Sequence, residues 1–320
     1  MWVEEFRPST LDEVLGQDTI TNRLKAFLQK PTDMPHMLFA GPPGVGKTTS
    51  AYALARELFG DYFDENFAEM NASDERKLSH IRTFVKRFVK FQPAGGMPFK
   101  LLLLDEADAL KRDSQSALRR IMEHHSHNVR FILIVNYAGK IIDPILSRCA
   151  VFRFQPIAKT FVDQRLRELS EINHVDITPE AIDVFYELLR GDMRTIVNLL
   201  QSLSVMHGRR IDVGDVYEVL GRPHPDKIQK VLSSLALKSP VGLEQAHTQV
   251  EQLLSVEGFQ AKDILVQLAQ AVEDSPEFTE EDHYRFNHSL ADLEYRIAQG
   301  ADDRIQLSAL LMSVFGLFVT

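Results

Sequence analysis

The sequence predicts an α/β domain built on a parallel sheet, followed by segments made of helices alone. Three features carry that reading: short apolar runs alternate with helical patterns through the first half, the strand signal ends after Pro156, and a Gly- and Pro-rich stretch interrupts the helices near residue 221. The runs span residues 37–40, 67–70, 100–104, 131–135 and 151–154. Fully apolar strands spaced by helices imply a parallel sheet covered on both faces.

Beyond Pro156, helices are expected at about 161–173, 179–190, 193–207 and 212–220. Thr178 suits an N-cap with Pro179 at the first helical position. Met193, Ile196, Val197, Leu200 and Leu203 share one apolar face. The stretch Gly221-Arg222-Pro223-His224-Pro225 breaks a helix and reads as a linker. Expected domains are therefore 1–156, 157–221 and 222–320, the last wholly helical and closing on an apolar segment, 307–319, that belongs in a core or against another subunit.

Composition agrees with this size and class. With 320 residues, 44% apolar and 25% charged, the chain can bury a substantial core, which excludes a disordered tail or mini-protein. A net charge of −9 excludes a generic DNA-coating protein, so any nucleic-acid contact must come from a local patch. The single cysteine, Cys149, permits neither an intramolecular disulfide nor a Cys-based zinc site. The N-terminus lacks the basic start and apolar stretch of a signal peptide, and no run approaches the ~20 apolar residues of a membrane span. A cytoplasmic protein without membrane contact is expected.

The chemistry is announced by Gly41-Pro42-Pro43-Gly44-Val45-Gly46-Lys47-Thr48, a P-loop pattern that follows an apolar run and opens a helical segment beginning at Thr49. Its glycines let backbone N–H groups face the phosphates, Lys47 reaches the β- and γ-phosphates, and Thr48 coordinates magnesium. Downstream, Leu101-Leu102-Leu103-Leu104-Asp105-Glu106-Ala107-Asp108 is a buried strand ending in acids. Asp105 can hold magnesium through its water shell, and Glu106 can polarise the water that attacks the γ-phosphate. Asn136, ending the next strand, can position the same water. Together these motifs predict NTP hydrolysis, with ATP and magnesium as cofactors.

Further residues point to a family. Trp2-Val3-Glu4-Glu5-Phe6-Arg7-Pro8, Leu11-Asp12-Glu13-Val14-Leu15-Gly16-Gln17, Asn71-Ala72-Ser73-Asp74-Glu75-Arg76, the acidic box at 105–108 and Ser147-Arg148-Cys149 together resemble the small subunit of replication factor C, the AAA+ sliding-clamp loader of archaea and eukaryotes. The resemblance covers residues 2 to about 220 and weakens beyond. It implies a RecA-like P-loop AAA+ domain, a small helical lid and an all-α collar holding a heteropentamer with a large subunit and other small subunits. It also implies that Val3, Arg7 and Pro8 lie near the adenine, that Asn136 is a first sensor and that Arg194 is a second, reaching from the lid to the γ-phosphate. Arg148 is similar to the family's arginine finger, acting in the neighbour's ATP site. A planar cation supplied across an interface neutralises charge in phosphoryl transfer and makes hydrolysis depend on assembly. One departure is Lys77-Leu78-Ser79, where the family continues with Gly and an Ile-Asp pair; it bears on how this loop meets neighbours or DNA, not on the ATP chemistry.

Residues 76–90 contain six Lys or Arg and no acid. On a helix, Leu78, Ile81, Val85 and Phe88 share one face while Arg82, Lys86, Arg87 and Lys90 project from the other. Such a stripe can follow phosphates without reading bases. Arg82 and Lys86 are the expected DNA contacts, with Lys111, Arg112 and Lys140 as weaker candidates. The expected function is that of a clamp-loader ATPase, opening a PCNA-type ring and placing it on primed DNA at the nucleoid. The alternatives are a non-catalytic ATP-binding scaffold of the same complex, or an AAA+ remodeller of another nucleic-acid target such as a branch-migration motor.

Overall fold

The computed structural model describes residues 1–73, 78–206, 210–275 and 279–319. Asp74, Glu75, Arg76 and Lys77, which end one motif and begin the basic stretch, lie outside the described residues. The chain divides into two compact units, Met1–Arg210 and Ile211–Thr320.

The first unit runs α1 (Trp2–Glu5), α2 (Asp18–Gln29), β1 (His36–Ala40), α3 (Lys47–Phe59), α4 (Phe63–Asn66), β2 (Phe67–Asn71), α5 (Leu78–Phe88), β3 (Lys100–Asp105), α6 (Arg112–His124), β4 (Val129–Val135), α7 (Asp143–Leu146) and β5 (Cys149–Arg153). Three longer helices follow: α8 (Lys159–Asn173), α9 (Pro179–Leu189) and α10 (Met193–Met206). Strands β1–β5 form one parallel sheet in the order β2-β3-β4-β1-β5. Contrary to the expectation of helices alone beyond Pro156, a further two-residue strand, β6 (Asp176–Ile177), lies between α8 and α9. Side chains alternate across it with the period of two that a pleat imposes. Met37, Phe39, Leu101, Leu103, Ile132 and Ile134 pack on one face with Ala51, Leu54 and Ala55 of α3. Leu38, Leu102, Leu104, Phe131 and Leu133 pack on the other with Ile81 and Val85 of α5 and Leu118, Ile121 and Met122 of α6.

Burial on both faces holds for β1, β3 and β4 but not for the outer strands. Glu69 on β2 and Arg153 on β5 are exposed, because an edge strand is covered on one side only. The N-cap at Thr178 forms, its hydroxyl accepting from the Ala181 amide at 3.2 Å. Helix α10 buries Ile196, Val197, Leu200 and Leu203, whereas Met193, expected on the same face, is only half-buried.

The second unit contains α11 (Val213–Val219), α12 (Pro225–Leu235), α13 (Pro240–Ser255), α14 (Ala261–Glu273), α15 (Glu280–Ala298) and α16 (Asp303–Val319). Asp212 and Asp215 close a reciprocal capping box at the start of α11. Leu307, Leu310, Leu311 and Val314 of α16 join Ile228, Leu232, Leu253, Leu268 and Phe286 in a single core. The apolar closing segment is thus one-sided: Met312, on its other face, is exposed.

Candidate functional site

Strands β3, β4 and β1 are neighbours, and each ends at the same edge of the sheet with a polar residue or turn. That edge is where open α/β sheets hold ligands. After β1 the chain turns through the P-loop into α3. Gly46, at φ 93°, caps the helix in a conformation that side chains other than glycine avoid. Gly44 is required for a second reason: a Cβ there would lie 1.7 Å from the Asp192 carboxylate, just before α10. The Met193 amide also donates to the Gly44 carbonyl at 3.2 Å, so the start of α10 rests directly on the phosphate loop.

Lys47 is buried, its ammonium donating to the carbonyls of Gly41 (2.7 Å) and Pro42 (2.6 Å) and to Asn136 Oδ1 (3.3 Å). Burial holds its pKa below the usual lysine value; the charges of Asp105, Asp108 and Asp192 act upward, that of Arg194 downward. An anion at this position would act upward, favouring the charged form. Thr48 Oγ1 donates to Asp105 Oδ2 at 3.2 Å, which places two hard oxygen donors side by side, a donor set suited to magnesium that keeps most of its waters. Among the described residues, no group of three or more His, Cys, Asp or Glu side chains is placed to hold a metal ion.

Glu106 follows β3 in the left-handed region at φ 54°, rare for a residue with a side chain. Its amide donates to Asp105 Oδ1 at 2.8 Å. Strain of this kind persists where the surrounding structure dictates the direction of a side chain. Here Glu106 lines the same cleft as Lys47.

The cleft encloses about 280 Å³. The P-loop from Pro43 to Thr49 lines it, together with Asp105, Glu106, Asn136, Arg194, Val3, Arg7 and Pro8. Gly41 and Pro42 do not line it but turn their carbonyls to Lys47. Several wall residues carry no sequence signal for this role: Trp2 and Phe6, set edge-to-face at 6.3 Å, Val197 of α10 and Arg165 of α8. Arg165 donates to the Phe6 carbonyl at 2.6 Å and pairs with Glu168 at 3.1 Å, tying the N-terminal segment to α8. Gln17, buried, donates to the carbonyls of Val45 and Gln155, which accounts for its place in the N-terminal motif.

Arg148 is not in this cleft. It sits after α7, partly exposed, with Nη1 donating to the Pro144 carbonyl at 2.7 Å and Nη2 paired with Glu123 Oε1 at 2.6 Å. Burial pushes the adjoining Cys149 thiol up to about 12, which leaves it protonated and unsuited to attack. Arg82, Lys86 and Arg87 project outward from α5, away from buried Ile81 and Val85. Lys90 does not extend that stripe, since the helix ends at Phe88; its ammonium lies 5.8 Å from the Phe91 ring. Lys140 faces Asp108 at 3.9 Å.

A parallel sheet with a phosphate loop, an acidic strand end and a helical cap on that loop defines an AAA+ ATPase. Residues 37–157 match the model of the ATPase family associated with various cellular activities, and residues 223–313 match the replication factor C C-terminal domain. Over 97% of its length the chain is 41% identical to the replication factor C small subunit of Archaeoglobus fulgidus, covering 96% of that protein. Over 99% it is 43% identical to that of Saccharolobus solfataricus, covering 95%. The chain belongs to the replication factor C small-subunit family. The C-terminal match extends the family beyond residue 220, where the sequence motifs fade. Among solved structures, the Thermotoga maritima RuvB Holliday junction branch migration motor aligns with TM-score 0.56 at 21% identity, over 82% of this chain and 91% of that one, a likeness of fold.

Proposed function

We propose that this protein is the ATPase subunit of a clamp loader, which opens a PCNA-type ring and sets it on primed DNA, hydrolysis releasing the closed clamp. The observation that carries the reading is the separation of two parts of one reaction: the cleft gathers Lys47, Thr48, Asp105, Glu106, Asn136 and Arg194, while Arg148 stands outside it on the surface. A site so divided works when a neighbour's Arg148 reaches it. Alone, the chain hydrolyses slowly.

In this mechanism the P-loop amides and Lys47 hold the β- and γ-phosphates, and Glu106 takes a proton from the attacking water, which Asn136 orients. Arg194 and the neighbour's Arg148 meet the charge on the γ-phosphate. Thr48 and Asp105 would hold magnesium, which would supply charge neutralisation at the phosphate oxygens. Val3, Arg7 and Pro8 flank the adenine. Residues 1–156 form the RecA-like domain, 157–221 the lid and 222–320 the collar of a heteropentamer with a large subunit. Arg82 and Lys86 follow the DNA backbone. No helix among the described residues is long and apolar enough to cross a membrane, and the working location is the nucleoid.

The test is ATPase of the chain alone, then with large subunit, clamp and primed DNA added in turn. Stepwise stimulation supports the loader; turnover indifferent to all three refutes it, and a complex that assembles with ATP but never hydrolyses it identifies a scaffold.

A further inference from the structure

The geometry points to Glu123 as the residue that positions Arg148 for its neighbour, an inference that rests on the reading of Arg148 as an arginine finger. A guanidinium on a long side chain samples many rotamers in water, and catalysis across an interface needs one of them. In this chain the choice is made before any neighbour arrives. Glu123 Oε1 takes Nη2 at 2.6 Å, and the Pro144 carbonyl takes Nη1 at 2.7 Å, with Ser147 Oγ at 3.3 Å from the same nitrogen. One carboxylate and one carbonyl fix the plane of the group without using all five of its N–H donors.

Glu123 can do this because its own place is fixed. It lies in the last turn of α6, which the buried Leu118, Ile121 and Met122 anchor on the sheet, and Arg119, one turn earlier, approaches the same oxygen at 3.7 Å. Gln115, buried on the same helix, donates to the Lys140 carbonyl at 3.0 Å and accepts from the Ile142 amide at 2.9 Å. Ile142 opens α7, so the helix carrying Glu123 is fastened to the one that precedes Arg148. Folding gains little from the pair itself, since both side chains are more than a third exposed (37% and 39%) and water screens them. Its consequence is the direction of the guanidinium.

The experiment compares wild type, Glu123→Ala, Glu123→Gln, Arg148→Ala and the double Ala variant in the assembled loader with clamp and primed DNA. It reads kcat and KM for ATP, together with the melting temperature of each isolated chain. Expected is a fall in kcat of about tenfold for Glu123→Ala with KM and melting temperature unchanged. Glu123→Gln, which keeps an acceptor oxygen in place, should restore most of it, and Glu123→Ala should add nothing once Arg148 is gone. Full kcat in Glu123→Ala while Arg148→Ala is slow overturns the positioning role alone, as does an equal penalty in the Arg148→Ala background. Unchanged turnover in Arg148→Ala overturns the finger reading and this inference with it.

Discussion

The two edges of the sheet both bury polar groups, yet only one of them is a site. At the edge where β1, β3 and β4 begin, His36 accepts from the Phe131 amide at 3.1 Å, the Lys100 ammonium lies 5.0 Å from the Phe88 ring, and Arg130 is spent on the carbonyls of Met34 and Ser126. Each is satisfied by fixed backbone or a ring, and none lines the cleft that holds Lys47. At the opposite edge, Lys47, Asp105, Asn136 and Glu106 line one shared space, where Lys47 donates to Asn136 and Thr48 to Asp105. Perturbation alone does not separate the two, since burial lowers the pKa of Lys100 as it does that of Lys47. What separates them is convergence on a cleft whose walls bring further donors.

The sharpest way to break the comparison is at Glu106. Glu106→Gln should retain ATP binding and lose turnover by about a thousandfold in the assembled complex, as loss of a general base allows. Hydrolysis at the wild-type rate would remove Glu106 from its role. The opposite edge should respond through stability instead. Burial, with the charge of Arg130 acting the same way, lowers the His36 pKa to about 4 from 6.5, so the unfolded chain takes up the proton first as pH falls. Stability is then fully present above about pH 6.5 and declines toward pH 4 by about 3 kcal/mol, while ATP turnover per folded molecule is unaffected by this group. Urea unfolding of wild type and His36→Asn between pH 7 and 4.5 checks it, with a shallower acid slope expected in the variant.

A smaller effect tests the strain at Glu106. Glu106→Gly should raise stability by up to about 1 kcal/mol, because glycine accepts φ 54° without penalty, while abolishing hydrolysis. A drop in melting temperature would mean that the carboxylate, and not its backbone, governs that turn. The smallest effect belongs to neither edge: reversing Arg82 and Lys86 to Glu on the outer face of α5 should lower the salt slope of DNA-stimulated ATPase by about 2. An unaltered slope would mark a merely solvated face.

Much of the first unit was legible because its signals are local. Apolar runs fall within a residue or two of each of the five strands of the parallel sheet, since burying a strand needs only consecutive apolar side chains; the two-residue strand at Asp176–Ile177 has no such run and was not legible. The P-loop reads directly because its glycines answer to conformations of their own backbone. Distant partners left no such trace. Trp2 and Arg165 meet in one wall, and Glu123 meets Arg148, through packing that spacing along the chain does not encode.

By itself, then, the sequence determined the strands, the phosphate loop, the acids at the end of β3 and, through motifs spread over its length, the family. Tertiary structure alone decided the strand order that brings Lys47, Asp105 and Asn136 to one edge, the left-handed turn that aims Glu106, and the ion pair that aims Arg148. The reason is physical: local propensity acts over a few neighbouring residues, whereas convergence is set by which buried faces pack together, and that depends on the whole chain at once.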